Sequence, residues 1–162
     1  MILHLHSTAS SNLTSSSIYG NDYAHFGPQY AIAGPFPIFG RHFKTKKEDF
    51  PWIQWKLPAQ VNITGIKLSS QDCSRLTSDC PVLRNIEVRA GRSSINDGVF
   101  GKITNNNVCG NFKGPGMEAG EYTIKCKNTL LADVISIQLL DDDSILQLRG
   151  IQIEKDVNGK YY

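Results

Sequence analysis

The sequence lacks the long apolar run that a membrane-spanning helix needs. Although 40% of its 162 residues are hydrophobic, no stretch approaches the roughly 18 uninterrupted apolar residues required. It also lacks a dense basic stripe, since its formal net charge is only +2, so we expect no nucleic-acid partner. A chain of this length and composition is typical of one globular domain with a single packed core.

Local catalytic motifs are absent as well. The sequence contains no nucleophile elbow, no phosphate-binding glycine loop, no HExxH pair and no zinc-type cluster of histidine and cysteine. We therefore expect a binding protein and not an enzyme, with no catalytic residues and no cofactor or metal. Carboxylates that meet only in space stay an open alternative, because spacing along the chain does not reveal them.

Helical periodicity is also absent, and in its place the sequence shows alternation of apolar and polar residues. One-residue phase changes at Gly65 and Gly150 indicate β-bulges. Repeated short strands without helical crossovers predict an all-β, antiparallel sandwich or barrel over residues 1–155, with 156–162 as a flexible tail. The alternating segments are 53–57, 86–90, 122–126 and 135–139.

The cysteines and sequons indicate an exported protein. Four cysteines without CxxC spacing favour disulfides over a metal site: Cys73, Cys80, Cys109 and Cys126. Asn-x-Ser/Thr sequons place candidate glycosylation sites at Asn12 and Asn62. Together these features predict a secreted protein or the ectodomain of a cell-surface protein.

A loop rich in proline and glycine carries the first candidate binding residues. Arg41 and His42 provide planar hydrogen-bonding groups, and Phe39 or Phe43 could offer an apolar face to a sugar ring. Such a combination suits a carbohydrate, which presents hydroxyl pairs on one side and C–H groups on the other. The alternative is that the phenylalanines plug the end of the core while Arg41 is merely solvated.

Several fragments of the sequence form an ordered set along most of the chain. They are SSSIYG at 15–20, YAIAG at 30–34, PWIQWKLP at 51–58, LRNIEVRAG at 83–91, GEYTIKC at 120–126 and ILQLRGIQIE at 145–154. Their order resembles the discoidin, or coagulation-factor C-type, family, and in particular its fucose-binding lectin branch. The resemblance implies a galactose-binding-like jelly-roll β-sandwich with ligand loops at one end, and it implies a disulfide between Cys109 and Cys126.

The same resemblance directs attention to residues 70–84. In the lectin branch a histidine and two arginines contact the sugar around an Asp-Cys segment, which corresponds here to Asp72 and Cys73. A Cys73–Cys80 disulfide would hold Asp72, Arg75 and Arg84 in one arrangement, which lowers the entropic cost of ordering them on a ligand. The alternative is that this disulfide is purely structural.

The chain departs from the lectin pattern at four positions. Ser70 and Val82 stand where the family has its two arginines, and Ala33 and Gly150 stand where its calcium loop has acidic residues. These departures keep two alternatives to a glycan or glycoprotein ligand open. One is a cell-adhesion module that binds a cell-surface protein. The other is peripheral membrane binding through residues 36–43 and the lysines that follow.

Overall fold

The structure is a computed structural model that describes residues 12–32, 41–70, 81–95, 101–116 and 120–156. No helix in these ranges is long and apolar enough to cross a membrane. The helical elements are single turns: α1 (Tyr23–Phe26) and the 3-10 turns Tyr19–Asn21 and Pro28–Ile32. The described strands are β1 (Leu13–Ser15), β2 (Phe43–Lys44), β3 (Trp52–Ser69), β4 (Ile86–Gly91), β5 (Asn107–Phe112), β6 (Glu121–Leu139), β7 (Gln147–Leu148) and β8 (Gly150–Lys155).

Two long strands, β3 and β6, organise the fold because each contributes to two groups of strands. The first half of β3 and the second half of β6 lie in the order β1-β3-β6-β4-β5. Their other halves pair with each other, and the second half of β3 also pairs with β8. All of these pairings, and that of β2 with β7, are antiparallel. The predicted all-β, antiparallel class is confirmed.

β3 changes from one group of strands to the other at two register shifts. The first lies between Lys56 and Val61 and includes Pro58, which has no N–H to donate to a ladder. The second lies at Gly65, where a side-chain carbon would stand 3.0 Å from the carbonyl oxygen of Ile124. The bulge predicted at Gly65 is therefore confirmed, since only a residue without Cβ permits this close approach.

The phase change at Gly150 has a different cause from the predicted bulge. β7 pairs with β2, whereas β8 begins at Gly150 and pairs with β3, so the chain passes from one sheet to another at Arg149. The alternation shifts because the apolar residues of β7 and β8 belong to different ladders. The sequence signal was real, but it marks a change of sheet.

A single large core lies between the strand groups, and β5 closes it on one side. Cys109 in β5 and Cys126 in β6 form a disulfide, as the resemblance implied. The adjacent Gly110 approaches β6 so closely that a side-chain carbon would lie 2.6 Å from the carbonyl oxygen of Lys125. The backbone of β5 therefore packs directly against the first half of β6.

The outer face of β3 is covered and not solvated. The alternation at 53–57 predicts that Gln54 faces water, but Gln54 is buried, because the segment after β4 packs over it. The Gln54 carboxamide accepts from the N–H of Ile95 at 2.6 Å, and Gln138 in β6 accepts from the N–H of Ile103 at 2.8 Å. Trp52, Ile95 and Ile103 form a second apolar cluster beside these amides.

The small β2–β7 sheet closes one end of the core. The segments after β2 and before β7 stay together as far as Phe50, whose N–H donates to the Asp141 carbonyl at 3.0 Å just before β3, and after β7 the Arg149 N–H donates to Ser69 at the end of β3 at 2.9 Å. Phe43 and Leu148 pair across the sheet and are fully buried in the main core. The apolar face of β2–β7 therefore plugs the core, and its other face is polar.

Candidate functional site

The polar face of the β2–β7 sheet consists of His42, Lys44 and Gln147. Lys44 pairs with Gln147 in the ladder, and His42 comes two residues before Lys44, so the three side chains lie on the side opposite Phe43 and Leu148. The sequence produces this arrangement by simple alternation, His-Phe-Lys in one strand and Gln-Leu in the other. We call these three residues the polar face.

Two members of the polar face are buried without hydrogen-bond partners. His42 is 4% exposed and Gln147 is 2% exposed. Within the described part of the chain, both ring nitrogens of His42 and both amide atoms of Gln147 lack a hydrogen-bond partner. An unsatisfied buried polar group costs about 1–3 kcal/mol, so a ligand that displaced the covering segments and supplied donors and acceptors would be stabilised by these atoms.

Burial also determines the charge of His42. Desolvation, and to a smaller extent the positive charge of Lys44, lower the pKa of His42 from 6.5 to about 4. The imidazole is therefore neutral at physiological pH. A neutral imidazole has one donor and one acceptor nitrogen, which is the pattern that a sugar hydroxyl requires.

Aromatic side chains from the segment before β2 border the polar face. The ring of Phe26 meets His42 edge-on at 5.2 Å, and the ammonium group of Lys44 lies 4.1 Å from the centroid of the Tyr19 ring. Tyr23 is 64% exposed, and Arg41 lies 5.8 Å from the Tyr30 ring centroid. Aromatic faces of this kind can accept the C–H surface of a sugar.

The end of β3 brings a further charged group to the same rim. Arg149 directly precedes β8, and its N–H donates to Ser69. The ammonium group of Lys67, by hydrogen bond and charge, lowers the pKa of the Glu121 carboxylate, and Arg149 adds to this effect. The Ser70 side chain is buried and donates to the Gly120 carbonyl at 3.3 Å, so it ties this end of β3 to the segment before β6.

Arg84 lies beside Asp141, which belongs to the segment between β6 and β7. Its Nε donates to Asp141 at 3.0 Å, and the Asn85 amide donates to the other oxygen of the same carboxylate at 2.7 Å. The Arg84 side chain is 59% exposed. Asp141 therefore holds Arg84 in place while leaving part of the guanidinium accessible.

The structure separates the residues proposed from the loop before β2. Arg41 is exposed and His42 is buried at the polar face, whereas Phe43 is 0% exposed and belongs to the main core. The expectation that Phe43 offers a face to a ligand is therefore wrong. The alternative is correct for this residue, because alternation turns Phe43 inward, where it plugs the end of the core.

Several predicted residues lie outside the described part of the chain. They are Phe39, Asp72, Cys73, Arg75 and Cys80. The 1–155 domain boundary and the 156–162 tail also reach beyond the described ranges, and only Asp156 of that tail is described. Its N–H donates to the carbonyl of Asn62.

The described residues do not fit a metal ion. Among them, no group of three or more histidine, cysteine, aspartate or glutamate side chains could hold one. At the place where the resemblance would put a late calcium-binding glutamate, Gly150 supplies no side-chain oxygen. We therefore propose no calcium site among the described residues.

Sequence reasoning missed Gln147 and Arg149. Apolar–polar alternation could have identified them, because Leu146 and Leu148 alternate with these two polar residues along the chain. Both leucines are fully buried. What alternation could not show is that the opposite face of so short a strand would also be covered.

Several solved structures have an architecture similar to that of this chain. The chain superposes with a TM-score of 0.72 on an F-type lectin from striped bass serum (Morone saxatilis), at 19% identity over 91% of this chain and 47% of that one. It also superposes on a fucose binding module of Streptococcus pneumoniae, with a TM-score of 0.62 and 18% identity over 89% of this chain and 90% of the other. The chain has a discoidin-like fold.

A third solved structure extends the discoidin-like comparison to a module of a different origin. A carbohydrate-binding module from Clostridium perfringens, solved in complex with GalNAc-β-1,3-galactose, matches with a TM-score of 0.64 and 14% identity over 90% of this chain and 96% of that one. No family model and no curated protein matches the sequence. At these identities the similarity is one of fold, and it confirms the galactose-binding-like β-sandwich expected from the resemblance.

Proposed function

We propose that this protein is an exported carbohydrate-binding module that captures a glycan end group at the polar face of the β2–β7 sheet. The observation that carries the proposal is the pair of buried, unpartnered side chains, His42 and Gln147, on one face of a two-stranded sheet. Proteins of similar fold support the ligand class, since a fucose binding module and a carbohydrate-binding module in complex with GalNAc-β-1,3-galactose share the architecture.

The chemistry of the polar face suits hydroxyl groups. Gln147 can donate and accept, neutral His42 can do both, and Lys44 donates only. A hydroxyl likewise donates one proton and accepts through its lone pairs, so adjacent hydroxyls of one sugar can satisfy the two buried side chains together. Binding then replaces unsatisfied groups with hydrogen-bonded ones and needs no covalent step.

Neighbouring residues extend the proposed site. Tyr19 and Tyr23 provide exposed aromatic surface for the C–H side of the sugar, and Arg41 provides a guanidinium over the Tyr30 ring. Arg84, held by Asp141, would contact a second sugar residue of a longer glycan. Phe39, Asp72 and Arg75 remain proposed contacts.

Export is part of the same proposal. The disulfide between Cys109 and Cys126 favours an oxidising compartment, and both sequons fit a secretory route. We propose that the partner is a glycan or glycoprotein outside the cell.

A glycan array tests the proposal with wild-type protein and the variants Gln147→Leu and His42→Leu. We expect saturable binding of at least one terminal sugar, with the signal reduced about tenfold or more in each variant. The matched control is Gln60→Leu, the same substitution at an exposed position near the bend in β3. Absence of any glycan ligand would overturn the function, and binding unchanged in both variants would overturn the site.

A further inference from the structure

The sequon Asn62-Ile63-Thr64 lies at the bend in β3. There one side of the strand faces the core and the other side is exposed. Ile63 is fully buried in the core, so the alternation of the strand turns Asn62 outward, where it is exposed. The Thr64 hydroxyl donates to the carbonyl of Glu154 in β8 at 3.2 Å. The acceptor asparagine is therefore accessible in the folded protein.

The surface beside Asn62 carries an exposed apolar side chain. Asn62 pairs with Leu131 of β6, and residues directly opposite in an antiparallel ladder share one face with their Cβ atoms about 5 Å apart. Leu131 is 50% exposed, and residues 127–129 before it are exposed as well. A sugar attached to Asn62 would lie against Leu131 and cover it.

Asn62 also lies far from the polar face along the fold. β7 is followed by Arg149, whose N–H donates to Ser69 at the end of β3, whereas Asn62 lies in the middle of β3, where the strand bends. A glycan on Asn62 would therefore leave the polar face and its rim open.

The second sequon has a different environment. Asn12 is half-buried and is followed by Leu13, which is buried in the core. The Thr14 hydroxyl accepts from the Gln54 amide at 3.2 Å, next to the segment that covers β3. A glycan on Asn12 would have less space than one on Asn62, which makes Asn12 the internal control.

We infer that Asn62 carries an N-linked glycan in the exported protein and that this glycan covers Leu131. The reaction transfers an oligosaccharide from a lipid-linked diphosphate donor to the side-chain amide nitrogen of Asn62. The bond from the anomeric carbon to the diphosphate oxygen breaks, the bond from that carbon to nitrogen forms, and the amide loses one proton as the lipid diphosphate departs. No oxidation or reduction takes place.

The test is secretion of the whole chain from eukaryotic cells behind a cleavable leader, followed by intact-mass measurement and glycopeptide mapping. We expect a mass decrease on treatment with peptide N-glycosidase, with Asn62 converted to aspartate. Asn62→Gln and Thr64→Ala should abolish the decrease. Thr64→Ser, which keeps both the sequon and the hydroxyl bonded to Glu154, should retain it, as should Asn12→Gln.

A wild-type mass that the glycosidase leaves unchanged, or a glycan mapped at Asn12 alone, would overturn the inference. Mapping on the wild-type protein decides the matter even if a variant is not secreted. A further readout concerns Leu131: enzymatic removal of the glycan should increase self-association in light scattering, and Leu131→Thr should prevent that increase. These measurements are independent of glycan binding, so failure here would not affect the proposed sugar site.

Discussion

Gln147 lies directly opposite Lys44 in the β2–β7 ladder, so a buried amide and a lysine ammonium group share one face of this small sheet. The other face of the same two strands consists of fully buried Phe43 and Leu148. One short pair of strands thus plugs the core with one face, while its other face carries the buried side chains of His42 and Gln147.

The first prediction concerns Gln147→Leu, which separates binding from stability. Replacing an unpartnered buried amide with an apolar side chain of similar shape removes a desolvation penalty, so the melting temperature should stay the same or rise. Glycan affinity should fall about tenfold, because a hydrogen bond is lost only in the complex. Calorimetric melting and titration with the array-selected sugar measure the two effects. A large fall in melting temperature would show that Gln147 serves the fold.

The second prediction concerns pH. Because burial lowers the pKa of His42 from 6.5 to about 4, the unfolded chain binds a proton at this residue that the folded chain does not bind between those values. The free energy of unfolding should therefore fall as pH decreases through this window, by ~3 kcal/mol in total for this residue once pH is below both values.

The control for the pH prediction is His42→Leu, compared with wild type by urea unfolding at each pH. Carboxylate contributions are common to both proteins and cancel in the difference, which should increase in favour of the variant between pH 6.5 and pH 4. A difference that does not vary with pH would contradict the buried neutral state of His42.

The third prediction concerns the close approach of β5 to β6. In Gly110→Ala the new carbon would meet the Lys125 carbonyl oxygen at 2.6 Å, so the strands must separate, and we expect a destabilisation of about 1–3 kcal/mol. Gly150→Ala is the matched control, since its carbon would meet only the Ser69 hydroxyl, at 3.3 Å. Chemical denaturation compares the two. Equal stability of both variants would show that β5 adjusts freely.

The fourth prediction concerns the disulfide. Cys109 and Cys126 are separated by 17 positions, and in the chain-entropy model closing a loop of this size stabilises the folded state by about 3 kcal/mol. The double variant Cys109→Ala/Cys126→Ala should lose about that amount in urea unfolding. Under reducing conditions the wild-type protein should approach the variant, and a reduced wild type as stable as the oxidised one would contradict the prediction.

Much of the scaffold could be predicted from local patterns. Alternation identified the strands, and the phase change at Gly65 identified the bulge that the register confirms. These predictions succeed because the backbone geometry of a strand depends on residues that are close in sequence. Alternation and the position of a glycine follow directly from that geometry. The pairing of Cys109 with Cys126 came from the family resemblance, since spacing alone leaves the connectivity open.

The candidate site was only partly predictable. His42 stays a predicted ligand contact, whereas Phe43 was assigned to the ligand although it lies in the core, and Gln147 was missed. The polar face requires two strands that are distant in sequence to pair, with Lys44 opposite Gln147. A pattern of neighbouring residues cannot predict that pairing.

By itself, the sequence determined which residues share a side of each strand and that β3 shifts register at Gly65. Tertiary structure alone decided which sides are covered. Gln54 and Gln147 occupy polar positions in their alternation, yet both are buried because distant segments pack over them. The reason is physical: alternation is set within one strand, whereas burial depends on every other segment that reaches its surface.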